Sequence, residues 1–338
     1  METEILSPIF TSKDLETDQE VRWCPGCGDY AILNSVKKIL PDFGLPKHQF
    51  VFVSGIGCSS RFPYYMDTYG MHSIHGRATS IATGLKIANP ELSVWVITGD
   101  GDALSIGGNH FIHTLRRNPN LNILLFNNQI YGLTKGQFSP TSLHGQVTKS
   151  SPLGVVDSPF NPLALALGAG STFVARTLDR DAKHQQEIYK RAYYHPGTSL
   201  VEIYQNCNVF NDGAFEVFTD KATKSETTIF VEHGKPLIFD NGNKGILLDG
   251  LNAKVVNTED VPANDLWIHD ENDLNKALLL SRFFDDENMP RPFGVIYVDA
   301  KKPVFETIFN QQIAERKIED KETAFAKLLK SNNSWVVG

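Results

Sequence analysis

The chain has 338 residues, of which 41% are hydrophobic, and a formal net charge of −7. That apolar content can bury a sizeable core and the length suits two domains, which sets aside a mainly disordered chain. The acidic excess is spread along the sequence and leaves no basic footprint for nucleic acid, and no apolar run approaches the roughly 18 residues needed to span a bilayer. The N-terminus METEILSPIFTSKDLETDQE is polar and acidic, unlike a signal peptide, so a cytoplasmic chain with no membrane association is expected.

Residues 1–20 read as a polar lead-in. From about Arg22 to Asn211, apolar runs alternate with amphipathic stretches. Strands are expected to end near Val53, Thr98 and Phe126, with two more near Val174 and Ile203. Helical patterns lie between them at Arg77–Ala88, Ala103–Arg116, Pro162–Leu167 and Asp181–Tyr194. Near-continuous apolar strands, each followed by a helix, predict an α/β fold with a mainly parallel sheet covered on both faces. After about Asp212 the texture changes to shorter runs (TIFVEH, GILLDG, KVVN), a helix near Leu274–Phe284, a strand at GVIYVD and a Lys/Glu-rich helix near Ile313–Leu329. The expectation is a cofactor-binding domain over 1–212 and an appended α+β region over 213–338, which carries no chemical motif.

Ligands in parallel sheets bind beyond the carboxyl ends of the strands. Gly99-Asp100-Gly101-Asp102 sits there, directly before a helix whose N-terminus offers free N–H groups to phosphate oxygens. Asp100 would repel a bare diphosphate, so a divalent cation between them is expected. Magnesium combines one or two protein oxygens with phosphates and water. Asn127-Asn128, at the end of the next strand, supplies a second oxygen. GDG alone can be a tight turn and NN a capping pair, but together, after two apolar strands, they resemble the thiamine diphosphate motif. That resemblance implies magnesium ligation by Asp100, Asn128 and the carbonyl of Ile130, with Gly101, Asp102, Gly132 and Leu133 touching the cofactor.

The cysteines are Cys24 and Cys27 in W-C-P-G-C-G, Cys58 in G-I-G-C-S-S, and Cys207 after a strand. One C-x-x-C pair with two single cysteines departs from the two pairs of a zinc ribbon, while four thiolates also suit a four-iron four-sulfur cluster. Residue types alone leave a cluster, zinc and no metal all open.

CPGCGDY, GIGCSSRFPYY, HSIHGRATSIATGLK, VITGDGDALSIGGNHFIHTLRRN and NNQIYGLTKGQFSPTS together resemble the β subunit of 2-oxoacid:ferredoxin oxidoreductases, most of all the 2-oxoglutarate type. The similarity spans roughly residues 20–212, and the tail resembles longer bacterial members. The resemblance implies a thiamine diphosphate-binding fold and one four-iron four-sulfur cluster on Cys24, Cys27, Cys58 and Cys207. It also implies cofactor contacts from Ile56, Gly57, Cys58 and Ser59, and a catalytic His75 at the cofactor's reactive end. Expected partners are an α subunit, separate or fused to a γ domain, in an α2β2 assembly, with ferredoxin, coenzyme A and 2-oxoglutarate. The partner's glutamate would activate the aminopyrimidine.

Lys135 is an ordinary solvated lysine or the cation for the distal carboxylate of a dicarboxylic 2-oxo acid. Arg61 is structural or grips the same substrate, for which a guanidinium fork is suited. His110 and His113, three apart on a helix without a third ligand, read as packing residues. The expected reaction is reversible oxidative decarboxylation of 2-oxoglutarate with coenzyme A, giving succinyl-CoA, carbon dioxide and reduced ferredoxin. Alternatives are the same chemistry on pyruvate or another 2-oxo acid, a thiamine enzyme without electron transfer, or a non-catalytic iron–sulfur electron-transfer module.

Overall fold

A computed structural model describes residues 9–316, 320–330 and 335. The expected apolar runs become β1 (Phe50–Ser54), β3 (Ser93–Gly99), β4 (Leu121–Asn127), β5 (Phe173–Leu178) and β6 (Ser199–Tyr204). A short edge strand, β2 (Tyr69–His72), pairs in parallel with β1; all four of its residues are exposed, so no apolar pattern marks it. With β7 (Thr228–Val231) and β11 (Arg291–Val298), the sheet runs β2-β1-β3-β4-β6-β5-β11-β7. Every pairing is parallel except β11 with β5.

Period-two alternation sends successive side chains to opposite faces, and both faces are buried. Val51, Val53, Val94, Val96, Ile123 and Leu125 join one core, which includes Ala82 of α2 (Ala78–Ala88) and Phe111 and Leu115 of α3 (Gly108–Arg117). Phe52, Trp95, Ile97, Leu124 and Phe126 join the other, with Ile32 and Val36 of α1 (Asp29–Ile39) and Tyr189 of a helix at Ala182–Tyr194. Phe10 and Leu15 are buried there too, so the described part of the lead-in, from residue 9, is anchored.

The expected boundary at 212 does not divide the sheet, because β7 and β11 come from beyond it. The strand-like runs at 244–257 become β9 (Lys244–Asp249) and β10 (Asn252–Asn257), which with β8 (Ile238–Phe239) form a separate three-stranded antiparallel sheet. The single helix expected over Ile313–Leu329 is instead two, Phe305–Glu315 and Lys321–Leu329; Asp320 starts the second by accepting from the Glu322 and Thr323 N–H groups. Residues 317–319 between them lie outside the described residues. The helix expected from Ala103 begins as a π-helical turn over Asp102–Ile106, and α3 follows from Gly108. Such turns recur at functional sites. No helix among the described residues is long and apolar enough to cross a membrane.

Candidate active site

The loops after β1, β3 and β4 enclose one cavity. Ile56, Gly57, Cys58, Ser59, His75, Asp100, Gly101, Asp102, Asn128, Ile130, Gly132 and Leu133, each expected from the sequence, all line it.

Asp100 follows the last residue of β3 and is 3% exposed. Its Oδ2 accepts from the hydroxyls of Ser139 (2.5 Å) and Thr141 (2.6 Å). Burial pushes its carboxyl up to about 6, against the pull of both hydroxyls. The Thr141 hydroxyl also faces Asn127 Oδ1 at 2.9 Å. Asn127 Nδ2 donates to Glu202 Oε1 at 2.7 Å, and Arg176 Nε donates to Glu202 Oε2 at 2.7 Å. Both charged side chains are fully buried, so each neutralises the other inside the sheet. The paired asparagines thus divide the work. Asn127 points into this buried network, and Asn128 lines the cavity. Asn128 Oδ1 accepts from the Ile130 N–H (3.2 Å), its Nδ2 donates to Gln205 Oε1 (2.9 Å), and its carbonyl accepts from Asn211 Nδ2 (2.8 Å).

Asp102 is 2% exposed and both of its carboxylate oxygens are engaged by the protein. Oδ1 accepts from the Ile56 N–H (3.0 Å) and the Gly76 N–H (2.7 Å) and lies 2.5 Å from His75 Nδ1, while Oδ2 accepts from Thr98 Oγ1 (2.7 Å). The carboxylate of this cavity-lining residue therefore ties loops together. Tyr131 closes the cavity beside it: its hydroxyl donates to the Gly101 carbonyl at 3.0 Å, and a Cβ on Gly101 would lie 2.2 Å from its ring.

A second cavity adjoins the first. Cys24, Cys27, Cys58 and Cys207 all line it, together with Trp23, Arg61, Lys135, Gln205 and Phe210. Cys58, Asn128, Gly132 and Leu133 line both cavities. The four thiols are free. A Cβ on Gly132 would lie 3.5 Å from both the Cys58 and Cys207 sulfurs, so little more than one residue's breadth separates them. Burial and the neighbouring Asp29 push the Cys58 thiol up to about 12, and burial raises Cys27 further. Gln205 Nε2 donates to Cys27 Sγ at 3.3 Å while its Oε1 holds Asn128, so one side chain spans the two cavities. Among the described residues, no three His, Cys, Asp or Glu side chains close on a single ion position.

Arg61 and Lys135 line the cysteine cavity and not the first one. Lys135 has φ +74° in a tight turn closed by its own N–H to the Gly132 carbonyl (3.0 Å) and by the Gly136 N–H to the Tyr131 carbonyl (2.9 Å). A lysine in that left-handed region costs about 1–2 kcal/mol, and such strain collects at functional sites. His113 and His110 lie on α3 away from both cavities.

Sequence reasoning missed Asp29, Thr98, Tyr131, Ser139, Thr141 and Gln205. Asp29 is buried beside the Cys27 thiol with neither carboxylate oxygen hydrogen-bonded, and burial pushes it up to about 7. Ser139 and Thr141 stand in SPTS, 39 and 41 residues from Asp100, and no spacing rule carries a hydroxyl over that distance.

Residues 55–203 match the family described as thiamine pyrophosphate enzyme, C-terminal TPP binding domain. The chain is 50% identical to the 2-oxoglutarate oxidoreductase subunit KorB of Mycobacterium tuberculosis, over 96% of this chain and 88% of that one. It is 36% identical to the β subunit of 2-oxoacid:ferredoxin oxidoreductase 1 of Aeropyrum pernix, over 94% and 89%. Its fold matches a solved 2-oxoglutarate:ferredoxin oxidoreductase from Magnetococcus marinus with 2-oxoglutarate, coenzyme A and succinyl-CoA bound, at TM-score 0.77 and 31% identity, covering 96% of this chain and 97% of that one. With relatives matched at this identity along nearly their whole length, the chain belongs to the β subunits of the 2-oxoacid:ferredoxin oxidoreductases.

Proposed function

We propose that this chain is the β subunit of a 2-oxoglutarate:ferredoxin oxidoreductase, holding thiamine diphosphate through magnesium beside one four-iron four-sulfur cluster. The observation that carries this reading is the sharing of Cys58, Asn128, Gly132 and Leu133 between the GDG cavity and the cysteine cavity. Bound there, the cofactor supplies an electron sink for decarboxylating a 2-oxo acid, and a cluster accepts electrons singly. Products are succinyl-CoA, carbon dioxide and reduced ferredoxin, and the reaction runs in either direction.

The donor sets fit both groups. Asp100 is a buried carboxylate whose side-chain partners among the described residues are two neutral hydroxyls, an environment short of positive charge that a divalent cation would complete. Asp100, Asn128 and the Ile130 carbonyl would hold magnesium, with Gly101, Gly132 and Leu133 against the cofactor. Four thiols line one cavity, a donor set that suits a four-iron four-sulfur cluster held by cysteine thiolates. Arg61 and Lys135, which line the adjoining cysteine cavity, are the cations we assign to the substrate's carboxylates.

Ile74 is 70% exposed beside His75, and Leu133 is 45% exposed while lining both cavities. Apolar groups so placed suit coverage by the α subunit, in a cytoplasmic α2β2 enzyme with ferredoxin as electron partner. The test is turnover of the assembled complex on 2-oxoglutarate and on pyruvate, for the wild type and Lys135→Ala. The wild type should prefer 2-oxoglutarate, and losing a charged partner should lower its kcat/KM by about 10–100-fold. A wild-type preference for pyruvate would overturn the substrate; an unchanged preference in the variant would overturn the role of Lys135.

A further inference from the structure

Asp102 is bound on every side by this chain. Its Oδ1 already accepts two backbone N–H groups, from Ile56 and Gly76, which can act only as donors. His75 Nδ1 lies 2.5 Å from that same oxygen, so Nδ1 must also bring a hydrogen. Thr98 Oγ1, itself buried, donates to Oδ2. Gly55 makes room for this arrangement, since a Cβ there would lie 1.9 Å from Oδ2. The carboxylate is thus locked between the loops after β1 and β2 and the end of β3, while His75 remains 36% exposed in the cavity.

We propose that Asp102 is a positioning residue that fixes the direction and tautomer of His75, keeping hydrogen on Nδ1 and leaving the Nε2 lone pair for a group bound in the cavity. This rests on the cavity being the thiamine diphosphate site. Nε2 accepts a proton from the bound group and returns it, while the other hydrogen stays on Nδ1, hydrogen-bonded to Asp102, throughout. Imidazole orientation by a buried carboxylate acts in this way generally: the carboxylate selects the tautomer and does not itself take the proton. Asp102 and Asp100 therefore have opposite tasks, although only Gly101 separates them. Asp100 is completed from outside the chain, and Asp102 is completed by it.

The test uses the complex with ¹⁵N-labelled histidine in this chain, the His75 signals being identified by difference against His75→Gln. In the wild type, Nδ1 should be protonated and Nε2 bare. In Asp102→Asn, whose amide oxygen must stay toward the Ile56 and Gly76 N–H groups, Nδ1 exchanges a charged acceptor for a neutral one, so its hydrogen-bond signature in the spectrum should weaken and kcat should drop about a hundredfold with little change in KM, the scale of a lost proton-transfer group. In a His75→Gln background, Asp102→Asn should slow the enzyme no further. Hydrogen on Nε2 in the wild type overturns the proposal, and this spectrum needs no variant should the Asn chain fail to assemble. An Asp102→Asn effect that persists in full without His75 also overturns it, because it would make Asp102 merely structural. Thiamine diphosphate binding, measured separately by calorimetry, keeps the two readings apart: a wild-type complex that binds none overturns the cavity assignment on which this rests.

Discussion

The two adjoining cavities differ in how much of their geometry the chain supplies by itself. In the GDG cavity, polar groups are already held: Asp100 by Ser139 and Thr141, Asn127 by Thr141 and Glu202, Asp102 by four donors. In the cysteine cavity, the one side-chain hydrogen bond to a sulfur among the described residues is that of Gln205 to Cys27. Burial holds the Cys27 and Cys58 thiols neutral, and they must lose protons before they can ligate metal. The first cavity is preorganised by protein; the second has little such support. Gln205 and the shared Asn128 tie them, so they differ in support and are linked in structure.

That contrast can be broken by substitutions confined to one side. The largest effect is expected of Cys27→Ser, which should abolish iron incorporation and electron transfer, read by iron analysis and visible absorption. Thiamine diphosphate affinity should be unchanged, since no support of Asp100 passes through Cys27; its loss would show that the two sites fold as one. Thr141→Val is the reciprocal change, removing a hydroxyl from Asp100 and from Asn127. It should weaken magnesium-dependent thiamine diphosphate binding by about 10–100-fold, the usual cost of losing a group behind a metal ligand, and leave iron content intact.

His195 sharpens the comparison from outside both cavities. It is 4% exposed, its Nε2 lies 2.8 Å from Thr172 Oγ1, and burial pushes its imidazole down to about 4. As pH falls, the unfolded chain binds this proton first. The stability from the neutral ring is therefore complete above about 6.5 and lost between about 6.5 and about 4, by at most about 3 kcal/mol. His195→Gln should flatten denaturant-measured stability across that window relative to wild type, while both cavities keep their ligands. An identical pH dependence in the two proteins would contradict the assignment.

Sequence made visible what lies in short motifs at strand ends. Gly99-Asp100-Gly101, Asn127-Asn128 and the four cysteines follow or adjoin apolar runs, and topology then carries them to one edge of the sheet. Less legible was anything that depends on chain closure. The hydroxyls of Ser139 and Thr141 reach Asp100 from a long loop, and Glu202 meets Asn127 only because β6 lies beside β4. Asp102 lines the cavity as its neighbours in the motif suggest, but nothing in the motif says that Ile56, Gly76, His75 and Thr98 engage its carboxylate. The part that residues 213–338 take in the main sheet was not legible. β11 is apolar like the strands before it, but nothing local says that it pairs antiparallel with β5 and extends the main sheet.

The central claim is that carbanion chemistry and electron transfer occur in neighbouring cavities of this one chain. The direct measurement is rapid-freeze electron paramagnetic resonance on the assembled complex, mixed with 2-oxoglutarate without ferredoxin or other acceptor. The wild type should release carbon dioxide and show a reduced-cluster signal; Cys27→Ser should lose the cluster signal, and Asp100→Ala should lose both. Carbon dioxide released while the cluster of the wild type stays oxidised would contradict the central claim.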